Sequence, residues 1–211
     1  MILRIYKAVR GVKKIGLTAT AIGFFTNFLL FLVKLYIGIS SASLTIYCDA
    51  VNNLGDTFAC AIAVIGFIMI TKMGERQSLR TQSLLTLLIS LFIAAVGLYF
   101  VYGGLRRLLY PVVVLSSTRF IIILCVTALV KVLLGIMFRA FNKKSPSSVL
   151  SALALDSFLD CLVTAASLMS LVLSSRIRYS IDGAFAIITG SIITASAIKN
   201  IINESKYLVN D

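Results

Sequence analysis

Long apolar runs separated by short polar links organise the whole chain. Six runs stand out, at roughly 15–39, 43–71, 82–105, 113–138, 148–174 and 179–202. A bilayer core about 30 Å thick is crossed by about 20 helical residues, and each run reaches that length. The two-residue alternation of transmembrane β-strands is absent. Helices remain as the way to satisfy backbone N–H and C=O groups in hydrocarbon. The first run starts too late and is too long for a signal peptide, and no small-residue cleavage site follows it. Tyr110-Pro111 and Ser145-Pro146 contain both prolines and mark helix boundaries. The expected fold is all-α, a polytopic bundle of six transmembrane helices. Residues 1–14 form a basic N-terminus, 15–205 the membrane domain and 206–211 a short tail.

Composition agrees with that pattern. Hydrophobic residues make up 59% and charged residues 13% of the 211 positions, against about 25% charged in a typical soluble domain. A soluble globular enzyme, a disordered tail and a disulfide-stapled secreted domain are excluded. The net charge of +12 comes from 20 Lys and Arg against eight acids. The basic residues sit in short clusters between apolar runs and form no single stripe, which argues against nucleic acid as a partner. Thirteen lie at the termini and in the links after the second and fourth runs, from Arg4 to Lys206. Five lie on the opposite flank: Arg106, Arg107, Arg119, Arg176 and Arg178. The excess places both termini in the cytoplasm of a multi-pass cell-membrane protein. It also favours anionic lipid heads. Lys34 and Lys131 fall inside spans, where they either snorkel or pair with acids.

An internal repeat emerges next. Residues 32–39 are Leu-Val-Lys-Leu-Tyr-Ile-Gly-Ile and residues 129–136 are Leu-Val-Lys-Val-Leu-Leu-Gly-Ile. The first block leaves the cytoplasm and the second returns to it, and each precedes an acid-bearing span. Helices 1–2 and 4–5 are therefore expected to be an inverted repeat, as in many secondary transporters.

Five of the eight acids fall within the runs, where ionisable residues mark functional sites by default. Asn52 and Asp56 are four apart in the second run, and Asp156 and Asp160 are four apart in the fifth. Each pair lies on one helix face. Facing each other, the four would aim oxygen atoms at one place near mid-membrane, a cage for a divalent cation. Two like charges in low dielectric need a positive companion, either a metal ion or protons. Asp49, one turn outward, either attracts ions near an outer mouth or caps or hydrogen-bonds near the start of its helix. Asp182 is expected to be an N-cap at the start of the sixth span. Cys48, Cys60, Cys125 and Cys161 show no CxxC spacing and are expected to be small buried apolar groups. Cys161 projects about 100° away from Asp160 and is a poor ligand. The chain has no histidine.

These stretches resemble the transmembrane domain of the cation diffusion facilitator family. The resemblance is carried by Asn27 to Lys34 with Gly38, Ser43-Leu44, Asp49 to Asp56, Leu129 to Lys131 with Gly135, Asp156 to Asp160, and Ile181-Asp182-Gly183, covering residues 10–205. It implies efflux of a divalent transition metal in exchange for protons, by alternating access and commonly as a homodimer. It places the transported ion on Asn52, Asp56, Asp156 and Asp160. Asn-Asp with Asp-Asp resembles the manganese-exporting branch, since zinc-transporting relatives use His or Asp at the position of Asn52. Ligand chemistry agrees: one amide oxygen and three carboxylates suit Mn²⁺, with Fe²⁺ and Zn²⁺ behind it. The ion is cargo, and no resident cofactor is expected. The family's usual cytoplasmic C-terminal domain and His-rich segments are missing, so the chain is expected to be a short or truncated member. A non-transporting partner subunit or degenerate homologue is the alternative. An enzyme is not expected, because no nucleophile and base accompany the acids.

Overall fold

A computed structural model describes residues 2–210 apart from 74, 145, 147 and 175–180, with side chains described for 15–69, 79–144, 146, 149–174 and 181–209. Arg176 and Arg178 thus lie outside the described residues, as do the side chains of Arg4, Lys7, Arg10, Lys13, Lys14, Lys72 and Arg76. Among the described residues the chain forms six helices and no strand: α1 Ile2–Ser41, α2 Leu44–Met73, α3 Glu75–Leu109, α4 Thr118–Lys144, α5 Ser148–Ser174 and α6 Ile181–Asn210. All six are long and apolar enough to cross a membrane.

Burial in this bundle is inverted relative to a soluble protein. Lys34, Lys131 and Asp49 are fully buried, whereas Phe25 is 70% and Ile39 69% exposed. An aqueous protein would gain by the opposite arrangement. Lipid makes apolar side chains favourable outside and leaves polar groups to find partners within. The chain is a multi-pass membrane protein.

Two boundaries differ from those expected. The apolar run from 113 was assigned to the fourth span, yet α4 starts at Thr118. Pro111 removes a backbone donor and disfavours helix at Tyr110. Residues 111–117 instead run irregularly across the end of the bundle, where the Leu115 N–H donates to the Ser41 carbonyl at 2.9 Å. Val114 packs with Ile37, Ile46, Leu124 and Leu171. Val114 is the buried side chain of this segment, while Val112, Val113 and Leu115 remain exposed on the outer surface. At the other end α6 continues to Asn210, so most of the expected tail is helix.

The two copies of the Lys-x3-Gly block do the same work in both halves. A Cβ on Gly38 would stand 2.9 Å from the Tyr47 backbone nitrogen, and one on Gly135 2.9 Å from the Phe158 ring. Glycine therefore lets α1 close on α2 and α4 close on α5. One turn earlier, Lys34 and Lys131 each reach both α2 and α5. Lys34 donates to Asp49 and Thr164; Lys131 donates to Asp56 and Asp160. A shared sequence block with shared contacts supports the inverted-repeat assignment.

Helices α3 and α6 meet through glycines seven residues apart on each. Gly97 faces Gly190, and Gly104 faces Gly183. Without a hydrophobic drive in lipid, such small-residue contacts and their close backbone packing hold helices together. A Cβ on Gly104 would lie 2.7 Å from the Gly183 carbonyl oxygen and 3.0 Å from the Ile187 nitrogen. Backbone cannot step aside as a side chain can. Gly104→Leu is therefore expected to cost about 1–3 kcal/mol, seen as earlier thermal unfolding in detergent; unchanged unfolding would refute the close approach.

The α1–α2 turn shows a role for Asp182 that its own helix does not explain. Ala42 adopts a left-handed φ of 55°, and the Ser43 and Ala42 N–H groups return to the Gly38 and Ile39 carbonyls, a Schellman-type stop. The next helix then needs acceptors for its free N–H groups. Asp182 supplies them from α6, accepting from Leu44 N at 2.8 Å, Thr45 N at 3.2 Å and Ser43 Oγ at 2.6 Å. It thus caps α2, where an N-cap for α6 was expected. Arg107 from α3 pairs with Asp182 at 2.5 Å and donates to the Ala42 carbonyl at 2.6 Å. Ser170 of α5 adds a bond at 3.1 Å. Four helices are tied at this end.

Candidate metal-transport site

A cavity of about 520 Å³ lies between α2, α3, α5 and α6. Its floor contains Asn52, Asp56, Asp156 and Asp160, the four residues expected from the sequence to hold the ion. Its far wall includes Gln82 near the start of α3, Val149 near the start of α5 and Glu204 near the end of α6. The cavity thus runs from mid-bundle to the end bearing the α2–α3 and α4–α5 links. The opposite end is closed by the Asp182–Arg107 cluster and residues 111–117.

Depth follows from helix rise. Asp56 lies about 18 Å along α2 from Leu44, and Asp160 about 18 Å along α5 from Ser148. Lys131 lies about 20 Å along α4 from Thr118. All three sit near the middle of a 30 Å core. The i, i+4 spacing on α2 and α5 brings each pair to the face lining the cavity.

The contacts within the site are specific. Lys131 Nζ lies 2.7 Å from Asp56 Oδ2 and 2.6 Å from Asp160 Oδ2. Asn52 Nδ2 donates to Asp160 Oδ1 at 2.5 Å. Both Asp160 oxygens are thereby engaged, and its side chain is 7% exposed. Asp56 is 20% exposed, and Asp156 is exposed to the cavity. Among the described residues no three acidic or cysteine side chains converge closely enough to hold an ion by themselves. The arrangement is centred on an ammonium shared by two carboxylates, with a third carboxylate nearer the cavity mouth. Lys131 was left undecided by the sequence. The four-residue spacing sets Lys131 and Gly135 on one helix face, and the structure turns that face inward.

Asp49 lies elsewhere. It is fully buried and accepts a hydrogen bond from Lys34 at 2.9 Å, so it sits at no exposed mouth, and of the expected roles the hydrogen-bonding one is what the structure shows. Its Oδ2 and the Asn53 Oδ1 are buried without a hydrogen-bond partner in the structure. Lys34 also donates to Thr164 Oγ1 at 2.7 Å, and that hydroxyl donates to the Asp160 carbonyl at 2.9 Å. The Lys34 pair is linked in this way to the carboxylate site from the closed side. Cys161 donates through Sγ to the Ala128 carbonyl at 3.2 Å. That contact turns it toward α4, consistent with its exclusion as a ligand.

Residues 20–209 match the family described as the cation efflux transmembrane domain. The chain belongs to the cation efflux family. No curated protein matches it significantly. As a family member it is a transporter of metal cations across a membrane, not an enzyme.

Proposed function

We propose that the protein exports Mn²⁺ from the cytoplasm in exchange for protons, using Asn52, Asp56, Asp156 and Asp160 as the transported ion's ligands. The observation that carries this reading is the donor set at the cavity floor: three carboxylates and one amide, all oxygen. Hard divalent ions favour such oxygen sites, whereas imidazole and thiolate favour zinc and copper. The chain has no histidine to offer. Fe²⁺ follows Mn²⁺ in this order, and Zn²⁺ follows both.

Charge supports the exchange. Three carboxylates with the Lys131 ammonium carry two negative charges in total. One divalent ion neutralises them, and so do two protons. Swapping one for the other keeps a buried site neutral, avoiding the large cost of an uncompensated charge in low dielectric. With the termini cytoplasmic, as the Lys and Arg excess indicates, the cavity opens toward the cytoplasm. Export then requires the Asp182–Arg107 end to part while the cavity closes.

Two measurements test the reading. Cells lacking their manganese exporter should regain Mn²⁺ tolerance with the wild-type chain and not with Asp56→Ala. In proteoliposomes, Mn²⁺ movement should exceed Zn²⁺ movement and carry a counterflow of protons. Zinc preference, or rescue equal for wild type and Asp56→Ala, would refute the assignment.

A further inference from the structure

Lys131 comes from α4, which contributes no residue to the cavity wall, and its side chain is fully buried. Its ammonium nevertheless lies between Asp56 of α2 and Asp160 of α5. These are the two carboxylates that an ion bridging both helices would have to share. A lysine in this place is costly to insert into a membrane. A helix bundle needing only packing here would do as well with an apolar side chain.

We propose that Lys131 is a tethered cation that competes with the transported metal for the oxygens of Asp56 and Asp160. This rests on the ligand assignment above. The geometry orders the events of loading. An ion entering along the cavity meets exposed Asp156 first, together with Asp56, whose side chain is 20% exposed. Both Asp160 oxygens already accept hydrogen bonds, Oδ2 from Lys131 and Oδ1 from Asn52. A hard divalent ion draws carboxylate oxygens to about 2.0–2.6 Å and repels an ammonium bound to those same atoms. An ion that bridges the Oδ2 atoms of Asp56 and Asp160 therefore takes them from Lys131. During release the sequence runs backwards. The ammonium retakes both carboxylates as the metal leaves, so bare buried carboxylates are never left facing each other. Lys131 thus weakens equilibrium binding and speeds unloading. That suits a transporter, whose site must bind well enough to load and loosely enough to let go.

Lys34 provides an internal contrast. It is the repeat counterpart of Lys131, equally buried, and holds Asp49 and Thr164, neither of which lines the cavity. Burial of a lysine in this bundle does not by itself place it on the ion's oxygens.

The test measures Mn²⁺ affinity of the full chain in detergent, by titration with the free ion followed by electron paramagnetic resonance. Transport in proteoliposomes is followed in parallel. Lys131→Gln is expected to bind Mn²⁺ at least tenfold more tightly than wild type and to turn over more slowly. Lys131→Arg keeps the charge and can hold both carboxylates through its planar fork, so it should bind Mn²⁺ several-fold more weakly. Asp156→Asn and Asp160→Asn report on the underlying site. If they bind Mn²⁺ as wild type does, the ligand assignment itself fails. If they weaken binding while Lys131→Gln leaves affinity unchanged or lower, the site stands and the competition is overturned. Should Lys131→Gln not fold, Lys131→Arg decides: affinity equal to or above wild type overturns the proposal.

Discussion

Asp160→Asn is expected to reduce Mn²⁺/H⁺ exchange at least about 30-fold, because truncating one partner of a buried, hydrogen-bonded charge pair costs about 2–5 kcal/mol. The substitution keeps the size of the side chain and one carbonyl oxygen. It removes the charge that holds Lys131 at 2.6 Å and turns one acceptor into a donor facing Asn52 or Lys131. The site then carries one negative charge, so one divalent ion and two protons each leave an excess positive charge. Exchange loses its neutral endpoints. Proteoliposomes loaded with a pH indicator and supplied with Mn²⁺ read both halves of the exchange at once. Undiminished exchange in this variant would remove Asp160 from the ion path.

Lys34→Met is expected to destabilise the bundle by about 3–5 kcal/mol, the usual consequence of leaving half of a buried pair. Lys34 and Asp49 are both fully buried, and Asp49 would keep two buried oxygens without a cation. Its Oδ2 already lacks a hydrogen-bond partner in the structure, so the neighbourhood offers no reserve. The double variant Lys34→Met/Asp49→Leu should recover most of the loss, because removing both charges removes the desolvation cost with the attraction. Thermal unfolding in detergent compares the three proteins. A single variant within about 1 kcal/mol of wild type would show that the pair is solvated or dispensable. A double variant as unstable as the single would show that packing, not charge, explains the loss.

Several features of the fold were legible residue by residue. Each span announced itself because hydrocarbon demands a continuous apolar stretch. Spacing alone placed Asn52 with Asp56, and Asp156 with Asp160, on single helix faces. The repeat was legible in the shared Lys-x3-Gly block, and the structure shows both of its lysines bridging α2 and α5. The misassigned start of the fourth span has an equally local cause. Val112, Val113 and Leu115 are as apolar as any membrane helix, and composition does not distinguish crossing the core from closing its end. Asp182 shows the same limit at longer range. Its position at the start of α6 suggested a local cap, while its acceptors serve α2, which lies more than 130 residues away in sequence.

The sequence by itself determined a six-helix membrane transporter with acids inside, because the bilayer acts on every residue in turn and leaves its mark in a linear pattern. Partner choice is different in kind. Lys131 could equally have snorkelled or paired with Asp49, Asp56, Asp156 or Asp160, and each choice is compatible with the same linear pattern. Packing of α4 against α2 and α5 decided it, through the close approach at Gly135 and the geometry that sets one ammonium within 2.7 Å of two carboxylates. Helix spacing is local and written in the chain. The meeting of three helices at one charge is not, because it depends on distances between residues that the sequence keeps far apart.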